Sequence, residues 1–222
     1  MPSCKLPSNP CKSLHIGDRL LAAIPIKPLQ SSQNGRRCST LVRFSRFWNE
    51  AAGYCYDVID EPEGDDDSLR PNQIFAVSLP QSPLTATRQK QVVDTCGQML
   101  LTSYGLRSLS PNHPDYAGYY RGNSAERDRV YHQGTVWDWQ LGAFALAHWQ
   151  VYGSATQAHQ FLEPMANHLT AHGMGSLTEI FNSNAPMKPE GCIAQAWTVA
   201  ELLRAWLAIE DACMHAALPL MF

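Results

Sequence analysis

Between Thr135 and Tyr152 the apolar residues Val136, Trp139, Leu141, Ala143, Phe144, Ala147 and Val151 fall on every side of a helical wheel. A helix without a polar face has to be enclosed by other elements, so the rest of the chain must supply neighbours for it. Thr85 to Leu101 reads as an amphipathic helix, with Val92, Val93, Cys96, Met99 and Leu100 at three- and four-residue spacings. Thr156 to Ala171 places Phe161, Met165 and Leu169 on one face, with Pro164 as a kink. Ile193 to Ile209 repeats the pattern through Val199, Leu202, Leu203, Trp206 and Ile209. A short apolar helix over Asn72 to Leu79 ends at Pro80, and Phe44, Phe47 and Trp48 have helix-compatible spacing up to a stop at Gly53. Tyr54 to Ile59 reads as a short extended or looped segment, and no sustained β-alternation occurs downstream. The periodicity alone fits either a barrel of helical hairpins or a bundle.

The segments between the helices differ in character. Residues 1 to about 40 are rich in Pro, Ser, Asn, Lys and Arg without a sustained period, and read as a poorly ordered leader. The domain proper is expected over residues 43 to 212, followed by a tail at 213 to 222. Tyr104 to Arg129 reads as a long polar loop, a length that in a compact domain tends to carry function. The run from Leu20 to Ile26 is interrupted by Pro25 and has no small-residue cleavage site after it, which argues against a signal peptide. The seven cysteines are odd in number and contain no CxxC pair, so neither a disulfide framework nor a zinc site is expected and the cytoplasm is the simplest compartment. Cys192 and the remaining cysteines read as buried small apolar residues. A net charge of −3 lacks the clustered cations that nucleic acid or an anionic membrane would need. A neutral carbohydrate partner fits that charge.

Gly175-Ser-Leu-Thr-Glu179-Ile-Phe is followed by Pro186, Pro189 and then Gln195-Ala-Trp197, so one carboxylate stands on a Gly- and Pro-bounded loop ahead of a Trp-bearing helix. Cleaving a glycoside takes two carboxyl groups, an acid for the departing oxygen and a second carboxylate to activate water or attack the sugar. Glu179 is the candidate for the second role, and helix capping or a salt bridge is its bland alternative. The run Asp65-Asp66-Asp67 lacks the spaced oxygen ligands of a calcium loop and reads as a solvated or capping segment. No metal and no cofactor is expected.

Several phrases in order resemble the C-terminal glucosidase domain of glycogen debranching enzymes, of the amylo-α-1,6-glucosidase type. They are Phe47-Trp48-Asn49-Glu50-Ala-Ala-Gly53-Tyr54-Cys-Tyr56-Asp57, Asp66-Asp67-Ser-Leu-Arg70-Pro71-Asn72-Gln73, Tyr131-His-Gln-Gly-Thr-Val-Trp137-Asp-Trp139-Gln-Leu-Gly142, Leu177-Thr-Glu179-Ile and Gln195-Ala-Trp197-Thr198. The resemblance runs from about Arg43 to Arg204. It implies an all-α fold, an (α/α)6 toroid of six helical hairpins, with a glucan oligosaccharide or glycogen bound where the inner-helix loops converge. It implies Glu179 as the general base in hydrolysis of α-1,6-linked glucose. Arg70, Asn72, Gln73, His132, Gln133, Gln195 and Trp197 are the implied sugar-binding or pocket-shaping residues. Trp137 offers a flat face for a pyranose, with ordinary core packing as its alternative. Arg70 and Asn72 have a helix N-terminal cluster as theirs, with Pro71 at an initial helical position.

The family phrase T-W-M-D-A, which carries the general acid, has no counterpart, and residues 1 to 40 contain only Asp18 as a carboxylate. The chain therefore resembles the second half of the toroid, and the fold expected is an incomplete toroid. Loss of a general acid lowers rate by roughly 10²- to 10⁴-fold, so weak or absent activity alone is expected. Two alternatives stand beside it: a carbohydrate-binding fragment without turnover, and a half-toroid that pairs with another polypeptide. An incomplete ring should leave an apolar flank of the Thr135 to Tyr152 helix uncovered and favour association there. Asp138, where relatives often have Pro after the Trp, is a further departure and is expected to cost little in a first helical turn.

Overall fold

In the computed structural model, residues 44–172 and 174–217 are described, with side chains through 212, together with the backbone of Leu14 and His15. Apart from that pair, the expected leader and the run from Leu20 to Ile26 lie outside the described residues. Among the described residues six helices carry the fold: α1 (Phe75–Ser78), which continues a 3-10 turn over Pro71–Ile74, α2 (Ala86–Met99), α3 (Ser124–Val130), α4 (Trp139–Tyr152), α5 (Ala155–Ala171) and α6 (Ala196–Ala217).

The all-round apolar helix stands at the centre. Every residue of α4 from Gln140 to Ala147 is buried, and α1, α2, α5 and α6 pack around it. Its Ala143, Phe144 and Ala147 meet Val92, Val93 and Cys96 of α2 in one cluster. Its Leu141, Ala145 and Leu146 meet Leu162 and Met165 of α5 and Leu202, Ala205 and Ile209 of α6 in a second. Gly142 lets α4 and α6 approach closely: a Cβ there would lie 2.6 Å from the Glu201 carbonyl oxygen. At the start of α2, the Thr85 side chain accepts from the Arg88 amide, and such caps are worth about 1 kcal/mol.

Strands are present but only two residues long, and they work as rungs between loops. Leu14–His15 (β1) pairs with Val58–Ile59 (β4), and Trp48–Asn49 (β2) with Tyr54–Cys55 (β3). A four-stranded antiparallel ladder runs Leu106–Arg107 (β5), Val136–Trp137 (β6), Ile180–Phe181 (β7) and Pro189–Glu190 (β8). The helix expected from Phe44 to Gly53 is instead a 3-10 turn and the β2–β3 hairpin. The Asn49 side chain accepts from the amides of Ala51 and Ala52, and Gly53, at φ +75°, donates to the Asn49 carbonyl. A side chain that bonds its own following backbone competes with the helix. The expected loop from Tyr104 to Arg129 contains β5 and most of α3, whose start is closed by a reciprocal Asn123–Glu126 capping box. The central helix starts at Trp139 rather than Thr135, because Val136 and Trp137 pair with β5 and β7. The last helix starts at Ala196 and continues past Ile209 to Ala217.

The uncovered apolar surface lies elsewhere than expected. α4 is enclosed from Gln140 to Ala147, whereas Val199, Leu203 and Leu207 on successive turns of α6 are exposed, as is Trp197. Among the described residues no helix is long and apolar enough to cross a membrane.

Candidate functional site

The 3-10 turn before α1 and the starts of α4 and α6 converge on a cavity of about 730 Å3, and the loops between the short strands form its walls. That volume lies within the roughly 300–1,000 Å3 typical of small-molecule sites. Glu179 is delivered by the ladder: the residue after it, Ile180, pairs with Trp137, so the carboxylate stands beside the strand that leads into α4. Behind it the buried Thr178 hydroxyl donates to the carbonyls of Glu190 and Cys192, and the Glu179 amide donates to the Cys192 carbonyl. The backbone that carries the carboxylate is thereby clamped to the opposing segment of the hairpin at residues 190–192.

Both carboxylate oxygens are held by neutral donors. Oε1 accepts from the Tyr131 hydroxyl at 2.5 Å and from Gln195 Nε2 at 3.2 Å, and Oε2 accepts from the Cys192 amide at 2.9 Å. Hydrogen bonds to an ionised acceptor are about twice as strong as neutral ones, and no cation pairs with this one among the described residues. Gly191, at φ +72°, makes room for it: a Cβ at that position would lie 2.4 Å from Oε2. Burial, and then the hydrogen bond to Glu179, raise the Tyr131 hydroxyl well above its usual range, so it remains a donor.

Of the expected residues, Arg70, Asn72, His132, Trp137, Glu179, Gln195 and Trp197 all line this cavity. Two do not. Gln73 is turned into the interior, where it accepts from the Cys55 amide and donates to the Arg70 carbonyl. Gln133 sits behind Arg70 and accepts from its Nη2. Arg70 itself is a cross-link: Nε faces Asp57 Oδ2 at 3.4 Å, and Nη1 donates to the carbonyls of Ser108 and His132. Most of its donors are therefore engaged by protein groups, which ties the 108 and 132 loops to the turn before α1.

Trp137 has less free face than its position in the sequence suggests. The His132 ring stacks on it at 4.8 Å and 9°, Tyr131 meets it edge-on, and its Nε1 donates to the Tyr131 carbonyl and Thr135 Oγ1. Burial and the adjacent Arg70 charge hold the His132 imidazole below its usual range. The open aromatic surface is Trp197, which is 54% exposed and stacks at 4.2 Å on Trp139, itself stacked on Phe75.

Sequence reasoning missed Tyr131, Trp139, Gln140 and the Cys192 amide. The first three stand in the Tyr131 to Gly142 phrase, but their partners, Glu179, Trp197 and Asn72, are distant in the chain, which hides the contacts. Cys192 is exposed, contrary to the buried reading, whereas Cys55 and Cys96 are free and buried. Asp138 also departs from expectation. It is fully buried, accepts from Thr198 Oγ1 at 3.0 Å, and leaves Oδ2 without a partner. Burial, with the Glu179 charge adding to it, raises this carboxyl well above the usual range. The acidic run serves local structure: Asp65 accepts from Arg46 and the Asp60 amide, and Asp66 from the Ser68 amide.

A family model described as amylo-alpha-1,6-glucosidase matches residues 37–204. The glycogen debranching enzyme of Saccharomyces cerevisiae is 25% identical over 171 residues, which are 67% of this chain and 11% of that protein. The chain thus spans about a tenth of that relative's length. Among solved structures, the GH63 mannosylglycerate hydrolase of Thermus thermophilus in complex with glucose matches with a TM-score of 0.54 at 15% identity, covering 77% of this chain and 39% of that one. The neutral trehalase of Saccharomyces cerevisiae matches at 0.50 and 12% identity, covering 81% and 32%. At such identities these likenesses establish the fold, which is part of a six-hairpin glycosidase toroid.

Proposed function

The chain belongs to the amylo-alpha-1,6-glucosidase family, and from that premise we propose that its cavity takes an α-1,6-linked glucose of a branched glucan and presents Glu179 to a water molecule. The observation that carries this reading is the state of Glu179: a carboxylate on a cavity wall, held in place by three neutral donors and unpaired with any cation among the described residues. Such an environment fixes its geometry and leaves it able to accept a proton from water. Water attacks the anomeric carbon opposite the leaving oxygen and passes a proton to Glu179 as the C1–O6 bond breaks, the configuration inverts, and the departing O6 takes its proton from solvent. Trp197 supplies the apolar platform for the pyranose and Trp139 backs it.

A second reading, binding without turnover, is favoured by Asp66, another carboxylate on the cavity wall. Although burial opposes it, hydrogen bonds from Ser68 and the nearby Arg70 charge hold its carboxyl below the usual range, which leaves it poorly suited to hand a proton to a leaving group. Glu179→Gln separates the readings when binding and glucose release from a branched maltodextrin are measured side by side. The substituted amide can turn its carbonyl to the Cys192 amide and its NH2 to the Tyr131 hydroxyl, so binding should survive within about 3-fold, a hydrogen-bond-scale change. Loss of glucose release in that variant supports the base role, whereas unchanged release would remove Glu179 from the mechanism. A wild-type chain that binds glucan and releases no glucose would establish the second reading.

A further inference from the structure

Most polar side chains around the cavity already have hydrogen-bond partners. Arg70 is engaged by Asp57, Ser108, His132 and Gln133, Glu179 by its three donors, and the Trp137 nitrogen by Tyr131 and Thr135. The first turn of α4 breaks this pattern. Gln140 lines the cavity and is only 4% exposed; its Nε2 donates to Asn72 Oδ1 at 3.1 Å, while its carbonyl oxygen has no partner. Asn72 lines the same cavity, and its amide nitrogen bonds no group among the described residues. A buried acceptor without a partner is unusual in a folded protein and calls for an explanation.

We propose that Gln140 and Asn72 act as one specificity-determining pair that reads two neighbouring hydroxyls of the bound sugar. Each primary amide has one acceptor and one donor group. Joining the two amides through a single hydrogen bond uses one of each and leaves one of each over. Turning both amides end for end exchanges the labels and leaves the same remainder. An acceptor beside a donor matches a vicinal diol, in which one hydroxyl donates while its neighbour accepts. The pair also stands next to the aromatic platform, since Gln140 follows Trp139, which stacks on Trp197. A pyranose with its apolar face on Trp197 brings its hydroxyl-bearing edge within the amides' reach. A hydroxyl-matched site rejects the analogue that lacks the hydroxyl far better than an apolar pocket rejects an added one, because the protein groups are left unpaired.

This inference rests on the glucan reading above and is tested so that the two fail differently. The probe is a branched tetrasaccharide, a glucose α-1,6-linked to maltotriose, together with its monodeoxy analogues at each ring hydroxyl of the terminal glucose. Binding to the full chain is measured by calorimetry for wild type, Gln140→Leu and Asn72→Ala. In the wild type, removing one ring hydroxyl should weaken binding by about 5- to 100-fold, the range for leaving a buried group unpaired. Gln140→Leu should weaken the parent sugar by a similar factor and bind that one deoxy analogue as well as the wild type does. Asn72→Ala should show the same signature at the adjacent hydroxyl. Asn72 is only half-buried, so this variant remains informative if Gln140→Leu folds poorly. A uniform loss across parent and all analogues, or unchanged binding of the parent in both variants, overturns the pair. A wild-type chain that binds none of these sugars overturns the glucan reading itself, and the pair with it.

Discussion

Asp138→Asn should stabilise this protein increasingly as pH rises. The Asp138 carboxyl is fully buried at the head of α4, with one oxygen bonded by Thr198 and the other unpartnered. Burial raises its affinity for a proton in the folded state, whereas in the unfolded chain an Asp titrates near 3.9, roughly the model-peptide value. Between the unfolded and folded pKa values the unfolded state has released the proton and the folded state still holds it. The unfolded chain then binds fewer protons, so stability falls as pH rises, by about 1.4 kcal/mol for each pH unit of that window. The Asn side chain is close in shape to the protonated acid, keeps an acceptor for Thr198, and does not titrate. The assay is urea unfolding of both proteins from pH 4 to pH 8, compared as a difference so that every other titrating group cancels. The difference should be within about 1 kcal/mol at pH 4, the worth of one exchanged neutral hydrogen bond, and should grow in favour of the variant with increasing pH before levelling off. A pH-independent difference, or one that grows in favour of the wild type, would refute a raised pKa and the reasoning from burial behind it.

Three further outcomes follow from contacts already described. Tyr131→Phe deletes the hydroxyl that donates to Glu179 Oε1 and should cost about 1.5–3 kcal/mol in denaturant unfolding, the range for bonds to charged groups; a loss under about 0.5 kcal/mol would mean that water replaces the bond. Gly142→Ala puts a methyl group 2.6 Å from the Glu201 carbonyl and should cost about 1–3 kcal/mol by overpacking, seen as a lower melting temperature, whereas an unchanged melting point would show that α4 and α6 can separate freely. Trp197→Ala should weaken tetrasaccharide binding by about 2- to 12-fold, the worth of one aromatic contact, and should do so more than Trp137→Ala in folded protein, because the Trp137 face is covered by His132; the reverse order would return the platform role to Trp137.

Elements whose evidence is local and repeated were readable from the residues alone. The all-round apolar pattern of α4 and the amphipathic spacing of α2, α5 and α6 identify helices because burial demands a 3.6-residue period, and the phrases around Trp48, Arg70, Trp137 and Glu179 point to the fold family. Local side-chain chemistry overrode spacing at Asn49, where an amide bonding its own backbone makes a hairpin out of an apolar run suited to a helix. What only the tertiary structure decided was which polar atoms are already occupied. Arg70 is engaged by loop carbonyls 38 and 62 residues away, Gln73 faces the core, and Trp137 is covered by His132. Tyr131 reaches Glu179 across 48 residues and Gln140 reaches Asn72 across 68. Periodicity tells which face of a segment is buried, because burial is a property of one helix or strand. Hydrogen-bond occupancy belongs to pairs of segments, and it exists only after the α4 head, the β7 loop and the turn before α1 have been brought together.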